Sequence, residues 1–340
     1  MSDRKVVLSG MRSTGKMHLG HYFGTLRNWV DLQARHDCYF FAADWHALTS
    51  EYADPSQVTA NTVDAFADWI AAGVDPERAV VFVQSMVPEH AELHLLLSMI
   101  TPLGWLERVP TYKDQIREID NRDLNTYGFL GYPVLQTADI VVYRADLVPV
   151  GEDQASHLEI SREITRRFNS MYRPVFPEPQ ALFTPTPKVP GIDGRKMSKS
   201  YGNAINLSDS PETIREKCRA MFTDPTRIRR VDPGHPDTCN LFAFHRLLSP
   251  PEVIERVDRE CRAAEIGCVD DKKLVAEQII AFLEPLQRRR AEAMADPGAL
   301  LDLLRKGSAR ARERAQETMA QVREALGLDY DRLLSRSLEP

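Results

Sequence analysis

The sequence lacks the features that would place it in several special classes of protein. No apolar run approaches the ~20 residues needed to cross a bilayer, and the first five residues lead directly into a strand-like run, unlike a signal peptide. Cysteine is scarce, since five in 340 residues, an odd number, argue against a disulfide framework. These absences predict a cytoplasmic protein with no membrane partner.

An excess of positive charge is also missing. The 43 Lys and Arg residues against 49 Asp and Glu residues give a net charge of −6, so any RNA-binding surface must be local. The segment 286–323 is one candidate because it is rich in arginine. Such a segment is typical either of a solvated helix face or of a face that contacts RNA.

The first half of the chain alternates between two kinds of segment. Short apolar runs predict strands, and the amphipathic stretches between them predict helices. This alternation predicts an α/β fold with a doubly wound parallel sheet of the Rossmann-like type, whose ligands bind beyond the carboxyl ends of the strands. The predicted strands are 6–8, 38–43, 79–83 and 146–150, and the predicted helices are 21–33, 55–72, 89–100 and 154–168.

The second half has helical periodicity and predicts a C-terminal α-helical domain. Its predicted helices are 211–220, 251–264, 271–294 and 298–326. Before them, a polar stretch at 104–126 and a proline-rich connector at 174–190 interrupt the α/β rhythm. We predict an α/β domain at 1–190 with an insertion around 104–145, a mobile loop at 191–204, a helical domain at 205–300, and a C-terminal helix at 301–340 that packs back on the first domain.

The turn after the first strand resembles a phosphate-binding loop but departs from it. Residues 9–16 nearly spell a Walker A motif, which requires Ser or Thr at the next position to bind Mg²⁺, and this chain has Met17 there. His18, Gly20 and His21 follow at a helix start, where imidazoles can donate to phosphate and glycine leaves room for a nucleotide ring. Two histidines near a helix start are usually incidental, so their position in the first strand-to-helix turn is what indicates a site.

A second basic segment lies far along the chain, at Lys196 to Ser200 (KMSKS). Two ammonium groups on a mobile loop can close over a triphosphate and neutralise the charge that develops on a departing pyrophosphate. A basic pentapeptide alone is more often a solvated loop. Together with the histidine turn, it predicts that two distant segments share one triphosphate.

These two motifs, in this order, resemble the two signatures of the class I aminoacyl-tRNA synthetases. Further segments resemble the tryptophan branch of that family: DWHALT at 44–49, YP at 132–133, ADI at 138–140, GEDQ at 151–154 and HLE at 157–159. The resemblance covers most of the chain. It implies a HUP-type catalytic domain at 1–190, a mobile KMSKS loop at 191–204 and a helical anticodon-binding domain at 205–300.

The resemblance also implies a reaction and its partners. L-Tryptophan and ATP, with Mg²⁺ bound only through the phosphates, would form tryptophanyl-adenylate, and a homodimer with residues 104–126 at its interface would transfer the amino acid to tRNA(Trp). Catalysis is expected from His18, His21, Lys196 and Lys199. The expected ATP-binding residues are Arg12, Ser13, Thr14, Gly20, His21, Gly151, Glu152, Asp153, Val189, Lys196, Met197, Ser198, Lys199 and Ser200, and the expected tryptophan-binding residues are Asp139, Tyr132, Gln154, His46 and Gln136.

Asp139 is the residue expected to set amino-acid specificity. A carboxylate at the pocket floor can accept the indole N–H, and a site built around such a bond can reject an analogue that lacks the donor by about 10⁴–10⁵. The alternative is an acid on a helix surface, which its apolar neighbours disfavour. Two positions depart from the family pattern: Arg12 stands where many relatives have Gln, and Gln136 where a Met often lines the pocket.

Other functions remain open at this stage. The nearest is the same reaction with tyrosine, against which Asp139 and the GEDQ segment speak. A small-molecule nucleotidyltransferase can share the His-x-Gly-His turn, but it needs neither the lysine loop nor the helical domain. A non-catalytic RNA-binding relative is disfavoured because the histidines and lysines of both motifs are present.

Three cysteines of the helical half raise the question of a cluster. Some members of the tryptophan branch hold an iron–sulfur cluster there with four cysteines. Cys239, Cys261 and Cys268 are present, but Asp271 stands at the fourth position. Because four thiolates are the usual ligand set, we predict that the site is degenerate and binds no cluster.

Overall fold

A five-stranded parallel sheet forms the centre of the first half of the molecule. The computed structural model describes residues 4–109, 124–151, 155–183, 188–328 and 330. The strands are β1 (Val6–Met11), β2 (Asp37–Ala42), β3 (Val80–Val83), β4 (Leu147–Val150) and β5 (Gln180–Phe183). Their order is β3-β2-β1-β4-β5, with β1 central and crossovers to both sides. This is a doubly wound α/β sheet, and the predicted fold class is confirmed.

The fifth strand corrects the interpretation of residues 174–190 as a connector. β5 pairs in parallel with β4, from Leu147 opposite Gln180 to Val150 opposite Phe183. An edge strand is hydrogen-bonded on one side only, so a four-residue strand between prolines is tolerated there. The short length and the flanking prolines concealed it in the sequence.

Helices cover both faces of the sheet because successive strand residues point to opposite sides. Val7, Phe40 and Val81 face one apolar core, whereas Leu8 and Phe41 face the other. The helices of the first half are α1 (residues 19–33, with Leu19–His21 followed by a π-helical turn Tyr22–Leu26 and then Arg27–Gln33), α2 (Asp44–Glu51), α3 (Val58–Ala72), α4 (Glu89–Ser98), α5 (Leu103–Leu106), α6 (Tyr127–Leu130), α7 (Tyr132–Val142) and α8 (Ala155–Met171).

Helix α7 lies inside the stretch that the sequence analysis assigned to an insertion. It packs between α4 and α8, and Val134, Ala138 and Val141 are buried in the core. The other face of α7 carries Tyr132 and Asp139, which broke the apolar pattern and hid the helix. Residues 110–123 of the predicted insertion lie outside the described residues.

The second half is helical, and its helices share a core with the sheet. They are α9 (Pro211–Arg219), α10 (Asn240–Leu248), α11 (Pro251–Arg262), α12 (Cys268–Met294) and α13 (Pro297–Ala325). Val275, Ile279 and Leu283 of α12 belong to the same buried cluster as Phe66 and Trp69 of α3. In the described part of the chain no helix is long and apolar enough to span a bilayer.

Helix α12 also makes polar contacts with helix α3 and with the segment that follows the loop at 191–204. Gln287 Nε2 donates to the carbonyls of Leu207 and Asp209, each at 2.9 Å. One turn further along, Arg290 Nε donates to Asp68 Oδ1 of α3 at 2.8 Å. A single helix therefore holds both α3 and the segment that follows residues 191–204.

Helix α13 returns to the sheet and crosses it at Gly307. A Cβ atom on Gly307 would lie 1.8 Å from the carbonyl oxygen of Val81, in β3. The next residue, Ser308, accepts a hydrogen bond from Val83 N at 3.3 Å. The absence of a side chain at Gly307 allows the helix to approach the strand backbone this closely.

We expect Gly307→Ala to destabilise the protein, because the new methyl group meets strand backbone that cannot move without breaking the sheet. The cost is about 3 kcal/mol, so the midpoint of thermal unfolding falls by about 5 °C or more. Differential scanning calorimetry measures it. Gly24→Ala is the matched control, since that helical glycine has no atom within 4 Å of a built Cβ. Equal midpoints for the two variants would contradict the close packing of α13.

Candidate functional site

The turn after β1 and the distant lysine loop meet in one cleft. We call residues 12–18 the first turn and residues 191–204 the lysine loop. Lys199 Nζ donates to the backbone carbonyls of Thr14 at 3.2 Å and Gly15 at 2.9 Å, across 185 and 184 residues of sequence. The two motifs therefore face each other at the carboxyl end of the central strand, where ligands of doubly wound sheets bind.

Backbone hydrogen bonds hold the first turn and the lysine loop together. Leu19 N donates to Ile205 O at 3.0 Å, and Leu207 N donates to Met17 O at 2.8 Å, which ties the chain after the lysine loop to the start of α1. The side chain of Met17 is buried in the core. Met17 therefore serves packing at the position where a Walker A loop would hold Mg²⁺.

His18 and His21 lie side by side at the start of α1, with their rings tilted by 32°. Their ring centroids are 3.8 Å apart, and His18 N donates to His21 Nδ1 at 3.2 Å. Burial and the nearby Lys199 ammonium lower the pKa of His18 to about 4. Burial, then His18 and Lys199, lower the pKa of His21 well below its usual value. Both imidazoles are therefore neutral near pH 7 and offer N–H donors instead of positive charge.

Two buried polar atoms of this turn have no protein partner among the described residues. These are Ser13 Oγ and His18 Nδ1. Because buried polar groups are nearly always hydrogen-bonded in a functioning protein, both are suited to contact a polar ligand. Gly20 supports the same arrangement, since a Cβ there would lie 2.9 Å from Nδ1 and Cε1 of His18. The glycine thus makes room for an imidazole, and its contact with a nucleotide stays a prediction.

Asn203 braces the lysine loop from inside. Its Oδ1 accepts from Ser198 N at 2.8 Å, and its Nδ2 donates to Asp193 Oδ1 at 2.8 Å and to Lys196 O at 3.2 Å. A Cβ on Gly191 would lie 2.2 Å from Asn203 Nδ2, so glycine is required for this packing. One buried amide thereby sets the backbone course of the whole loop.

The remaining loop residues of the prediction occupy distinct positions. Met197 N donates to Val189 O at 3.0 Å, and both side chains are buried. A built Cβ on Gly20 lies 3.8 Å from Met197 Cβ, so Met197 packs near the first turn. Lys196 has an exposed side chain. Lys199 is the lysine whose ammonium group donates to the first turn.

Burial and, to a smaller extent, the repulsion by Arg12 lower the pKa of Lys199 to about 8. The attraction of Asp68 acts in the opposite direction but is outweighed. Asp68 was not anticipated from the sequence. Burial raises its own pKa to about 6, against the opposing charge and hydrogen bond of Arg290. The cleft is therefore cationic and partly desolvated, and a polyphosphate bound there would restore full charge to Lys199.

A second polar cluster lies on the inner face of α7. Tyr132, Gln136 and Asp139 are spaced by four and three residues, so they share one helix face. Asp139 is 1% exposed, which excludes the surface position that was its alternative. Its Oδ2 accepts from His46 Nε2 at 2.8 Å, and its Oδ1 accepts from His90 Nδ1 at 2.7 Å and Gln84 Nε2 at 2.8 Å.

Hydrogen bonds keep Asp139 ionised despite its position. Burial alone would raise its pKa, but the hydrogen bonds and charges of His46 and His90 outweigh burial and hold the pKa below the usual value. His46, one of the expected tryptophan-binding residues, thus directs its Nε2 to this carboxylate. The cluster thus places a fixed anionic acceptor within an otherwise apolar core.

Arg12 connects the two parts of the cleft. Its Nη2 donates to Ser50 Oγ of α2 at 2.5 Å. Burial lowers its pKa, while the nearby Glu51 and Tyr132 act in the opposite direction. Arg12, at the start of the first turn, therefore lies near both Lys199 and Tyr132 of α7. A guanidinium in that position can bind a carboxylate or a phosphate group that bridges them.

Several predicted site residues cannot be placed. Glu152, Asp153 and Gln154 lie outside the described residues, and nothing is described of the Ser200 side chain. Gly151 directly follows β4, at the carboxyl end of the sheet. Their predicted roles stay predictions.

The cysteine region holds an arginine among the sulfurs. Arg227 Nη1 lies 3.8 Å from Cys261 Sγ and 3.9 Å from Cys268 Sγ, and Asp271 Oδ1 accepts from His245 Nε2 at 2.9 Å. Within the described ranges no group of three or more His, Cys, Asp or Glu is arranged to hold a metal ion. A guanidinium beside two of the three thiols does not fit an iron–sulfur cluster, and the degenerate site stays a prediction.

Sequence reasoning missed Gln84, His90, Asp68 and Asn203. Gln84 could have been found, because it directly follows β3, and the carboxyl ends of the strands were already the expected ligand edge. His90 and Asp68 lie within helices and Asn203 in a polar loop, where such residues carry no distinguishing signal. Only the fold shows what they contact.

Comparisons with known proteins agree with this geometry. The sequence profile of the family described as tRNA synthetases class I (W and Y) matches residues 2–284. A tryptophan-tRNA ligase of Thermotoga maritima is 50% identical over 326 residues, covering 95% of this chain and 99% of the relative. One of Aquifex aeolicus is 44% identical over an alignment of 392 positions, gaps included, which covers 95% of this chain and 99% of the relative. The crystal structure of Campylobacter jejuni tryptophanyl-tRNA synthetase complexed with ADP and tryptophan superposes with a TM-score of 0.88 at 33% identity, covering 95% of this chain and 100% of that one.

We expect Asn203→Ala to loosen the lysine loop, since three internal hydrogen bonds are lost at once. Tryptic cleavage after Lys196 or Lys199 should accelerate at least about tenfold, measured by mass spectrometry of timed digests. Asn169→Ala is the matched control. Asn169 braces another turn through Val175 N at 3.0 Å and Phe176 O at 2.8 Å, and its loss should leave cleavage in the loop unchanged. Equal loop cleavage in both variants would remove Asn203 from this role.

Proposed function

Since the chain belongs to the class I tRNA synthetases of the tryptophan and tyrosine family, we infer that it activates L-tryptophan with ATP and transfers it to tRNA(Trp). The enzyme is an AMP-forming tryptophan-tRNA ligase. Tyrosine is not favoured, because the curated relatives at 44–50% identity over nearly the whole chain are tryptophan-tRNA ligases. The cytoplasm stays the expected location.

The ATP phosphates would bind between the first turn and the lysine loop. His18 Nδ1 and Ser13 Oγ, both unpartnered and buried, supply polar contacts from one side, with His21 beside them. Lys199 supplies positive charge from the other. Mg²⁺ would be bound through the ATP phosphates, with no ligand from the chain, and would neutralise part of their charge. The absence of a side chain at Gly20 leaves room for the His18 ring. The apolar side chains of Val189 and Met197, which are buried, would contact the adenine.

Tryptophan would lie against α7, with its indole N–H on Asp139. Tyr132 and Gln136 share that helix face, so they would contact the amino-acid part of the substrate. The carboxylate of tryptophan must then reach the α-phosphate, and Arg12, between Tyr132 and Lys199, is placed to orient it. Arg12 would thus act at a position where, by the family resemblance, many relatives have glutamine.

The first chemical step needs no side-chain nucleophile. A carboxylate oxygen of tryptophan attacks the α-phosphorus of ATP in line, the bond from that phosphorus to the bridging β-phosphate oxygen breaks, and pyrophosphate leaves with the electron pair. Catalysis is then positioning and charge stabilisation. Lys199 and the neutral N–H donors of His18 and His21 stabilise charge on the leaving group, and Lys196 joins them as the loop closes.

The second step transfers the tryptophanyl group to the 2′-hydroxyl of the terminal adenosine of tRNA(Trp), with release of AMP. We expect residues 205–300 to bind the anticodon. The homodimer also stays a prediction. It is supported by the exposed side chains of Leu95, Met99, Leu103 and Tyr127, which are 56, 70, 61 and 65% exposed on α4 to α6, beside the predicted insertion.

The observation that carries this proposal is the contact of Lys199 with the first turn, which joins the two motifs in one cleft. The test is ATP–pyrophosphate exchange measured separately with each of the twenty amino acids. We expect exchange with tryptophan to exceed exchange with every other amino acid by at least about 10³. Tyrosine as the best substrate would replace the tryptophan assignment, and exchange with none would reject synthetase activity.

We expect the pH profile of adenylate formation to report Lys199. The protonated amine is the working form and its pKa in the free enzyme is about 8, so kcat/KM for ATP is constant below that pH and declines as pH rises through it. Lys199→Arg should remove the decline up to pH ~10, since guanidinium stays charged. Lys199→Ala should slow the step about 10²–10³-fold throughout.

Stopped-flow measurement of pyrophosphate release between pH 6.5 and pH ~10 gives these rates. Lys188→Ala is the control, because Lys188 is an exposed lysine just before the loop, and its profile should match that of the wild type. A decline at the same pH in Lys199→Arg as in the wild type would assign the titration to another group.

A further inference from the structure

A chain of hydrogen bonds runs behind Asp139 into the core. His90 Nδ1 bonds to Asp139 Oδ1 at 2.7 Å, and His90 Nε2 bonds to the Tyr143 hydroxyl at 2.7 Å. The side chain of His90 and that of Tyr143 are 0% exposed. These residues do not line the cleft, and the mechanism above does not use them. A buried polar chain in an apolar core is costly unless every member is paired, so its presence requires a reason.

The proton positions in this chain follow from the partners. An ionised carboxylate only accepts, so His90 Nδ1 must carry the proton that lies toward Asp139. The ring is then left with an acceptor at Nε2, and the Tyr143 hydroxyl donates to it. Burial raises the pKa of Tyr143 well above its usual value, so the hydroxyl keeps that proton. One tautomer satisfies all three groups.

Gln84 completes the support of Asp139. Its Nε2 donates to Asp139 Oδ1, and its Oε1 accepts from the backbone N–H of Trp45 at 3.2 Å and of His46 at 3.4 Å. Gln84 thus holds α7 to the start of α2. Oδ1 of Asp139 has two donors, both from side chains that are 0% exposed.

Counting acceptor positions shows which oxygen is available to a ligand. A carboxylate has about four lone-pair positions, two on each oxygen. Oδ1 uses two, for His90 and Gln84, while Oδ2 uses one, for His46. The side chain of His46 is 12% exposed, so Oδ2 is the oxygen on the cleft side. One position of Oδ2 remains for a donor from the substrate.

We propose that His90, backed by Tyr143, is a positioning residue for specificity, which fixes the Asp139 carboxylate so that the open position of Oδ2 faces the indole N–H of tryptophan. This inference rests on the proposed function. Without the His90 donor, the carboxylate can rotate about χ2 and offer Oδ1 or neither oxygen. The enzyme would then lose the bond that distinguishes an N–H donor from a plain aromatic ring.

The test replaces His90 by two amide side chains, each of which has a nitrogen at the position of one of the two ring nitrogens. In His90→Asn the amide nitrogen replaces Nδ1 and keeps the donor to Asp139. In His90→Gln it replaces Nε2 and leaves Asp139 without that donor. Each variant is assayed by pyrophosphate exchange with L-tryptophan and with β-(3-benzothienyl)-L-alanine, in which sulfur replaces the indole N–H. The ratio of the two kcat/KM values measures recognition of the donor.

We expect His90→Gln to lower this ratio by at least about tenfold, through loss with tryptophan and little change with the benzothienyl analogue. His90→Asn should keep the ratio within about threefold of wild type, and the KM for ATP should not change in either. Tyr143→Phe, which removes the donor to Nε2, should lower the ratio less than His90→Gln does.

A matched control separates positioning from general destabilisation. His245 is also 0% exposed and donates to a buried carboxylate, Asp271, but in the helical half. His245→Asn removes that bond and should leave the ratio unchanged. Should His90→Gln fail to fold, the Tyr143→Phe ratio decides.

Each outcome bears on one claim. Equal losses with both substrates in His90→Gln, or equal ratios for the Asn and Gln variants, would overturn the role of His90 and leave the proposed function intact. An unchanged ratio in Tyr143→Phe, with His90→Gln unfolded, would overturn it as well. A wild-type enzyme with no tryptophan-dependent exchange would instead reject the proposed function itself.

Discussion

The ammonium group of Lys199 and the two carbonyls of the first turn form the contact on which the active cleft depends. An ammonium carries three donors, and two are occupied by Thr14 and Gly15, which leaves one for a phosphate. The contact is possible because backbone bonds of Leu19 and Leu207 hold the loop exit against α1 and because Asn203 sets the loop from inside. Desolvation of this lysine makes the unliganded cleft electrostatically unfavourable, and an anionic ligand relieves that cost.

The polar cluster around Asp139 keeps a charge inside an apolar core. Asp139 is buried among the residues that pack against one face of the sheet, yet it has three side-chain donors. An unpaired carboxylate there would take up a proton, and it would then no longer be an obligatory acceptor. The donors come from α2, α4 and the turn after β3. The ionised state of Asp139 therefore depends on how three elements are held together, more than on one side chain.

The sequence predicted the elements whose signal is local. The β1 run, the histidine turn and the lysine loop were each visible, and their order in the chain pointed to a shared triphosphate. Helix α7 was overlooked because its pocket face is polar, and β5 because it is four residues long between prolines. The space that Gly20 leaves for the ring of His18 was not visible in the sequence. Asn203, Gln84 and His90 act through partners that are 5, 55 and 49 residues away, and no spacing rule reports such contacts.

Helix α12 has a mechanical consequence for the cleft. It spans 27 residues, or about 40 Å, from the cysteine region to the sheet, and its last third grips α3 through Arg290 and the lysine-loop exit through Gln287. Pro285 lies inside the helix just before this third and lacks the N–H that a helical hydrogen bond needs. Gln287 and Arg290 both follow the proline, so a bend of the helix at Pro285 would leave α3 and the lysine-loop exit in register with each other.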